Sequence, residues 1–160
     1  MISSPTVTLL VPQLDGHGSV TELLRDEDLP LFGGYSLDGK TSPQPKFGQL
    51  TLHHVDRAGT IRSFSRHQHC WDFFIVLEGK FCFWCVSPEV GTTKEFVLAG
   101  KVYSRLCVPP MWYYGWQSLT PDAACLCAYS HAYNPDEPDE EKVHYSHFDY
   151  LGVHWPLKSQ

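Results

Sequence analysis

The sequence predicts an all-β fold, a sandwich or a barrel. Short stretches of strand-like alternation follow one another, turn formers separate them, and no long stretch carries helical periodicity. The first strand expected is Thr6–Val11, rich in β-branched side chains. Gly48–Val55, which alternates, and Phe73–Leu77 follow. Lys80–Ser87, Glu95–Leu98, Ser104–Val108, Tyr113–Ser118 and Ala124–Tyr129 complete the set. Arg57-Ala58-Gly59, Glu78-Gly79, Gly91-Thr92 and Thr120-Pro121-Asp122 supply turns between them. Helical character is confined to a short piece at Thr21–Asp26 and a helical or irregular segment near the C-terminus. Pro135 to Glu141 is acidic and proline-broken, and reads as a solvated loop.

The 160 residues suit one domain, 1–160, with a substantial core. Aromatic residues make up 14% of the chain, enough to serve both a core and a ligand pocket. The formal charge is −6 with only 12 Lys and Arg, and no basic stripe occurs, so nucleic acid is not an expected partner. No apolar run approaches the length of a membrane span, and the start carries no charged segment ahead of a long apolar core. No membrane association and a cytoplasmic location are therefore expected. The Cys82-x-x-Cys85 pair lies in alternating sequence, which sends the two thiols to opposite faces and makes a shared metal unfavourable. Cys125 and Cys127 share a face. All six cysteines are expected reduced and structural, with Cys127 set apart below.

The most informative stretch is Gly59 to Gly79, "GTIRSFSRHQHCWDFFIVLEG". A glycine, a His-x-His pair (His67, His69), an acid (Asp72) and a second glycine within strand-like sequence form the pattern of a cupin barrel. Such a pattern either grips a metal or lines a small-molecule pocket. Alternation places Gln49, Thr51 and His53 on one strand face, and Ser65, His67 and His69 on one face of another. For a metal, His67, His69 and Asp72 with His53 are the candidate ligands of a divalent transition ion. Against that reading, His69 and Asp72 stand close together, and Tyr114 occupies the place of a histidine in the second motif.

Beyond this pattern, the chain resembles the dTDP-4-dehydrorhamnose 3,5-epimerase family of RmlC-like cupins, in a short and divergent form. "DGHGSVTELLRDED" (Asp15 to Asp28) is similar to the family's "DxRGxxxE" strand, with Glu22 at the Glu. "FGQLTL" (Phe47 to Leu52) matches its Gln-bearing strand, and "VPPMWYYGW" (Val108 to Trp116) its "IPPGxxHGF" turn. "AYNPDEPDEEK" resembles its "YxPxxE" segment, and "LGVHWP" its closing "GIxWP". These motifs come in family order. The resemblance implies a jelly-roll cupin, no metal cofactor, a small-molecule substrate, and a homodimer formed by exchange of Thr6–Val11 or Ser19–Leu24.

The departures from the family concern its chemistry. Family members remove a proton beside a keto group with a His base, a supporting Asp and an opposing Tyr acid. By the resemblance, the base position is Ser65, the acid position is Cys127 (six residues before Tyr133), and the supporting Asp is Phe148. Ordinary 3,5-epimerase activity is therefore not expected. Arg62 keeps the "RGxH" arginine of the phosphate site, but His17 replaces another arginine and Asp72 a lysine. Arg66 is either a substitute phosphate ligand or an outward-facing strand residue.

The expectation is a metal-independent isomerase acting by acid–base proton transfer on a carbonyl-containing small molecule, not necessarily a nucleotide sugar. His67 or His53 would be the base, with His69 a further candidate and Tyr114 the acid or oxyanion stabiliser. Gln49, Thr51, Arg62, Ser65, Trp112, Cys127, Tyr133 and Glu22 would contact substrate. Each strand histidine also has a purely structural reading. The alternatives are a tailoring cyclase or dehydratase on a non-sugar intermediate, a metal-dependent cupin oxygenase, and a non-catalytic small-molecule binder.

Overall fold

The computed structural model describes residues 4–15, 18–24 and 47–157. In chain order the strands are β1 (Thr6–Leu9), β2 (Gln13–Asp15), β3 (Gly18–Val20), β4 (Gln49–Val55), β5 (Ile61–His67), β6 (Asp72–Glu78) and β7 (Lys80–Ser87). They continue with β8 (Thr92–Ala99), β9 (Ser104–Val108), β10 (Tyr113–Ser118), β11 (Ala123–Tyr129) and β12 (Glu140–Lys142), and a 3-10 turn covers Asp149–Leu151. Two five-stranded antiparallel sheets, ordered β1-β9-β6-β11-β4 and β12-β5-β10-β7-β8, face each other as a jelly roll. β2 and β3 form a separate ribbon.

Alternation decides which side chains enter the space between the sheets. Phe74 and Val76 of β6, Phe81, Phe83 and Cys85 of β7, Leu106 and Val108 of β9, Tyr114 and Trp116 of β10, and Cys125 and Cys127 of β11 form one buried cluster there. The outer face of the second sheet is covered by the C-terminal segment, where Phe148 and Val153 pack on Phe64, Val86 and Tyr113. The outer face of the first sheet buries Trp71, Phe73, Cys107 and Ala128. β6 is thus apolar on both sides, which is why its sequence reads as an unbroken run. Gly79 takes φ +72° in the turn between β6 and β7, a conformation that favours glycine.

The strands expected from sequence are present, most of them with bounds shifted by a few residues. Four were not in that set: β2, β3, β5 and β12. β5 mixes serine and arginine into its run, although the shared face of Ser65 and His67 already implied a strand there. β12 is three charged residues, Glu140 to Lys142, inside the segment read as a solvated loop. It pairs with Ser65, Arg66 and His67. Residues 21–24 are not helical, and the rest of the expected helix at Thr21–Asp26 lies outside the described residues, as does His17. Thr6–Leu9 pairs with Ser104–Cys107. Among the described residues, no helix is long and apolar enough to cross a membrane.

Candidate active site

β5 carries the central residue. Its partnership with β10 is irregular between Tyr114 and Trp116. Outward, Arg66 lies over the Tyr113 ring at 4.5 Å and pairs with Glu89 and Glu141, which settles it as an outer-face residue. Inward, Ser65 stands opposite Tyr114, and His67 follows at the strand end.

His67 Nε2 lies 3.3 Å from Tyr114 Oη and 3.8 Å from Asp72 Oδ1. Its Nδ1 lies 3.9 Å from Asp139 Oδ2 and has no hydrogen-bond partner. The ring is stacked with Tyr114 and edge-on to Tyr129, each at 6.2 Å between centroids. Burial lowers the His67 pKa, while Asp139 and Glu140 pull it back upward. The imidazole is therefore neutral near pH 7 and faces anions able to stabilise its cation. Asp72 is 1% exposed, and its Oδ1 has no hydrogen-bond partner. Burial, then Glu140 and Asp139, raise its carboxyl well above the usual carboxylate range.

The acidic segment holds this arrangement in place. Asp139 accepts backbone N–H groups from Gln68 (3.0 Å), His69 (3.1 Å) and Cys70 (3.0 Å), clamping the turn after β5. Ser65 Oγ donates to Glu140 Oε1 at 2.7 Å, and Tyr113 Oη donates to Glu141 Oε1 at 2.6 Å. The segment read as a solvated loop is instead the wall of the site. Beside it opens a cavity of about 180 Å³, lined by His67, Gln49, Tyr129, Tyr133, Asp139 and Glu140, with Cys70, His131, Ala132, Asn134 and Glu137. Gly48 allows the opposite wall to form, because a Cβ there would overlap the backbone of His131. Gln49 Oε1 accepts the backbone N–H of Tyr133 at 3.1 Å and anchors that loop.

Of the residues singled out from sequence, His67, Gln49 and Tyr133 line this cavity. Tyr114 is buried behind His67 and does not line it; its hydroxyl meets the imidazole. Trp112 and Cys127 are buried in the core beneath. Burial and Asp72 raise the Cys127 pKa, so it is a neutral thiol. Thr51 and His53 share the inward face of β4, as alternation predicts, but form a second group, with Thr51 Oγ1 3.1 Å from His53 Nε2. Arg62 lies 5.8 Å from the Trp116 ring, whose edge contact with His53 is also 5.8 Å.

Three expectations need correction. His69 does not follow His67 inward: β5 ends at His67, and the clamped turn leaves His69 exposed. Glu22 is exposed in the irregular stretch after β3. The metal-ligand set His67, His69, Asp72 and His53 does not converge. Among the described residues, donor atoms of three or more such side chains come together only at the exposed His54, Asp56 and Asp122. All six cysteines are free and buried, and Cys82 and Cys85 point to opposite faces, with Cys82 Sγ donating to Glu95.

Tyr129, Asp139 and Glu140 were missed from sequence. Tyr129 was accessible, since it lies two residues beyond Cys127 on the same face. Asp139 and Glu140 were not, because nothing local distinguishes a clamping acid from a solvated one.

No family model and no curated protein matches this chain. Solved structures do. The 3'-monoepimerase ChmJ from Streptomyces bikiniensis, in complex with dTDP-quinovose, superposes with a TM-score of 0.78 at 19% identity, covering 99% of this chain and 78% of that one. The RmlC epimerase of Mycobacterium tuberculosis gives 0.77 at 20%, covering 97% and 76%. The chain folds as an RmlC-like cupin. NovW, a 4-keto-6-deoxy sugar epimerase from the novobiocin gene cluster of Streptomyces spheroides, gives 0.77 at 16%, covering 99% and 77%. At these identities the RmlC-like likeness speaks for the fold, and the chemistry must be read from the side chains. Ser65 and Cys127 do face inward, bonded to Glu140 and buried in the core respectively, while Phe148 packs 5.0 Å from the Phe64 and Tyr113 rings outside the second sheet.

Proposed function

We propose that this RmlC-like cupin is a metal-independent isomerase that moves a proton beside the carbonyl of a small molecule, with His67 as the base. The observation that carries this reading is His67 itself. It is a half-buried, neutral imidazole at a cavity wall, with a phenol on one nitrogen and a carboxylate near the other. In the tautomer that donates Nε2–H to Tyr114 Oη, Nδ1 is the basic nitrogen; it is buried beneath the acidic segment, which substrate must displace to reach it. Taking a proton there creates an imidazolium that Asp139 stabilises at 3.9 Å. The broken C–H bond leaves its electron pair on the carbonyl oxygen as an enolate. Tyr129 lines the cavity, and its hydroxyl, which also meets Cys127 and Thr51, is the group we assign to support that oxygen; return of the proton to carbon gives the isomer. Tyr114 is a positioning residue that holds the ring through Nε2.

The experiment is solvent-deuterium incorporation, read by mass spectrometry, into a panel of cyclic ketones and a dTDP-4-keto-6-deoxy sugar. Wild type incorporates deuterium into at least one compound, and His67→Gln, with unchanged circular dichroism, does not. Equal incorporation by both overturns the reading in favour of a non-catalytic binder.

Assembly as a homodimer belongs to the same proposal. Leu50 and Leu52 on the outer face of the edge strand β4 are 54% and 61% exposed, and Leu14 and Val20 of the ribbon 84% and 58%. Light scattering is expected to give twice the chain mass, and a stable monomer at micromolar concentration would count against it.

A further inference from the structure

The acidic segment that walls the cavity differs from the strands around it in how it is held. From Asn134 to Lys142 no residue is buried, and two prolines are the only apolar side chains. Its fixing points are polar. Asp139 accepts the N–H groups of Gln68, His69 and Cys70, and Ser65 Oγ donates to Glu140. On the outside, Glu141 accepts Tyr113 Oη at 2.6 Å and pairs with Arg66, which also reaches Glu89 at 2.8 Å. β12 itself is three residues at the edge of its sheet, paired among the described residues with β5 alone.

Past Lys142 the anchoring changes. Val143 exchanges two backbone hydrogen bonds with Phe64, at 2.9 and 3.0 Å, and packs against the apolar cluster that holds Phe148 and Val153. At the other end, Gln49 Oε1 holds the Tyr133 N–H. A stretch fixed by exposed polar bonds, with no apolar burial, opens at a lower free energy than the sheets it rests on. What it covers is a single atom of consequence. The His67 side chain is 12% exposed, yet its Nδ1 is buried and without a hydrogen-bond partner. Asp139 Oδ2 stands 3.9 Å from that nitrogen, and Glu140 pairs with His67 across the ladder.

We infer that Asn134 to Lys142 is a lid, latched on the outer face by Glu141 through Arg66 and Tyr113, whose opening about Val143 gives access to His67 Nδ1. The lid rests on the acid–base reading above only for the choice of His67 as the group to be reached, and its test uses no substrate. Native-state hydrogen exchange, followed by NMR on the full chain, reads Gln68, His69 and Cys70, whose N–H groups are bonded to the lid. Diethyl pyrocarbonate labelling, read by peptide mass spectrometry, reports the access of reagent to His67, with exposed His54 as internal reference. In the wild type, exchange at Gln68 to Cys70 is expected to be faster than in β6 and β11 and nearly indifferent to dilute urea. Glu141→Gln and Arg66→Gln are each expected to raise that exchange and the labelling of His67 together, by about threefold to tenfold. Added salt is expected to act on the wild type in the same direction.

Exchange at Gln68 to Cys70 with the rate and urea dependence of β6 and β11 overturns the inference, because the segment would then open only when the whole chain unfolds. So does exchange or His67 labelling that neither latch variant moves, or faster exchange with His67 still protected. The two proposals fail separately. Loss of the lid with His67-dependent deuterium incorporation intact removes only the gate. A coupled rise in exchange and labelling, with incorporation indifferent to His67→Gln, removes only the reaction.

Discussion

His67 and His53 are the same residue type, both half-buried and both turned into the same barrel, yet the proposed mechanism makes only His67 the base. His67 stands among Asp72, Asp139 and Glu140, with tyrosines on two sides. His53 stands against Thr51, the edge of Trp116 and the Arg62 guanidinium. Burial lowers the pKa of both. At His53 the nearby arginine lowers it further, whereas at His67 the carboxylates oppose the shift. A general base becomes a cation when it works, and the cation is supported at one end of the barrel and opposed at the other. Inward register alone selects candidates; the sign of the surrounding charge separates them.

The largest expected effect tests that separation directly. His67→Gln is expected to reduce deuterium exchange by about 10²–10⁴-fold, the usual worth of a general base, and His53→Gln to leave it within about tenfold. Similar losses in both variants would erase the distinction. Next in size is the clamp. Asp139→Asn cannot accept all three backbone N–H groups without turning a donor toward one of them, a loss of roughly 1.5–3 kcal/mol for a charged acceptor. Its unfolding midpoint in urea is expected to fall accordingly, with faster hydrogen exchange at Gln68 to Cys70. An unchanged midpoint would mean that the acidic segment is no wall.

A smaller effect of opposite sign is expected at Asp72. Its native pKa is raised, so above the ordinary value of 3.8 the unfolded chain ionises while the native carboxyl keeps its proton. Its stability contribution is complete below that value and declines as pH rises, by about 1.4 kcal/mol per unit until the native group itself ionises. Asp72→Asn removes this dependence. Its unfolding temperature relative to wild type is expected to climb between pH 4 and 7, and a difference constant across that range would be incompatible with a raised native pKa.

Most of the architecture could be read from sequence because burial on alternating faces leaves a local signature. Lys80–Ser87 and Tyr113–Ser118 were found with their observed ends, and Gln49, Thr51 and His53 share a face as their spacing requires. What escaped was set by partners distant in the chain. Glu140 to Lys142 has no strand signature; its structure comes from pairing with β5, some 75 residues earlier. The same long-range clamp ended β5 at His67 and turned His69 outward, so an alternation correct through the strand failed one step beyond it. Tyr114 was assigned a catalytic place by alignment with a motif, and its depth behind His67 shows only in three dimensions.

The smallest effect sharpens the contrast between the two histidines without touching either. Proton NMR of the imidazole carbons follows each titration separately. Arg62→Gln removes a charge that, with burial, lowers the His53 pKa, so the His53 midpoint is expected to rise and His67 to stay in place. Glu140→Gln removes one of the anions that oppose burial at His67, so the His67 midpoint is expected to fall further and His53 to stay in place. The two variants should therefore move different histidines in opposite directions. If Glu140→Gln instead left His67 unmoved, solvent would be screening the carboxylates from the imidazole. The cation formed on proton abstraction would then lack its support, and the case for His67 over His53 would rest on position in the cavity alone.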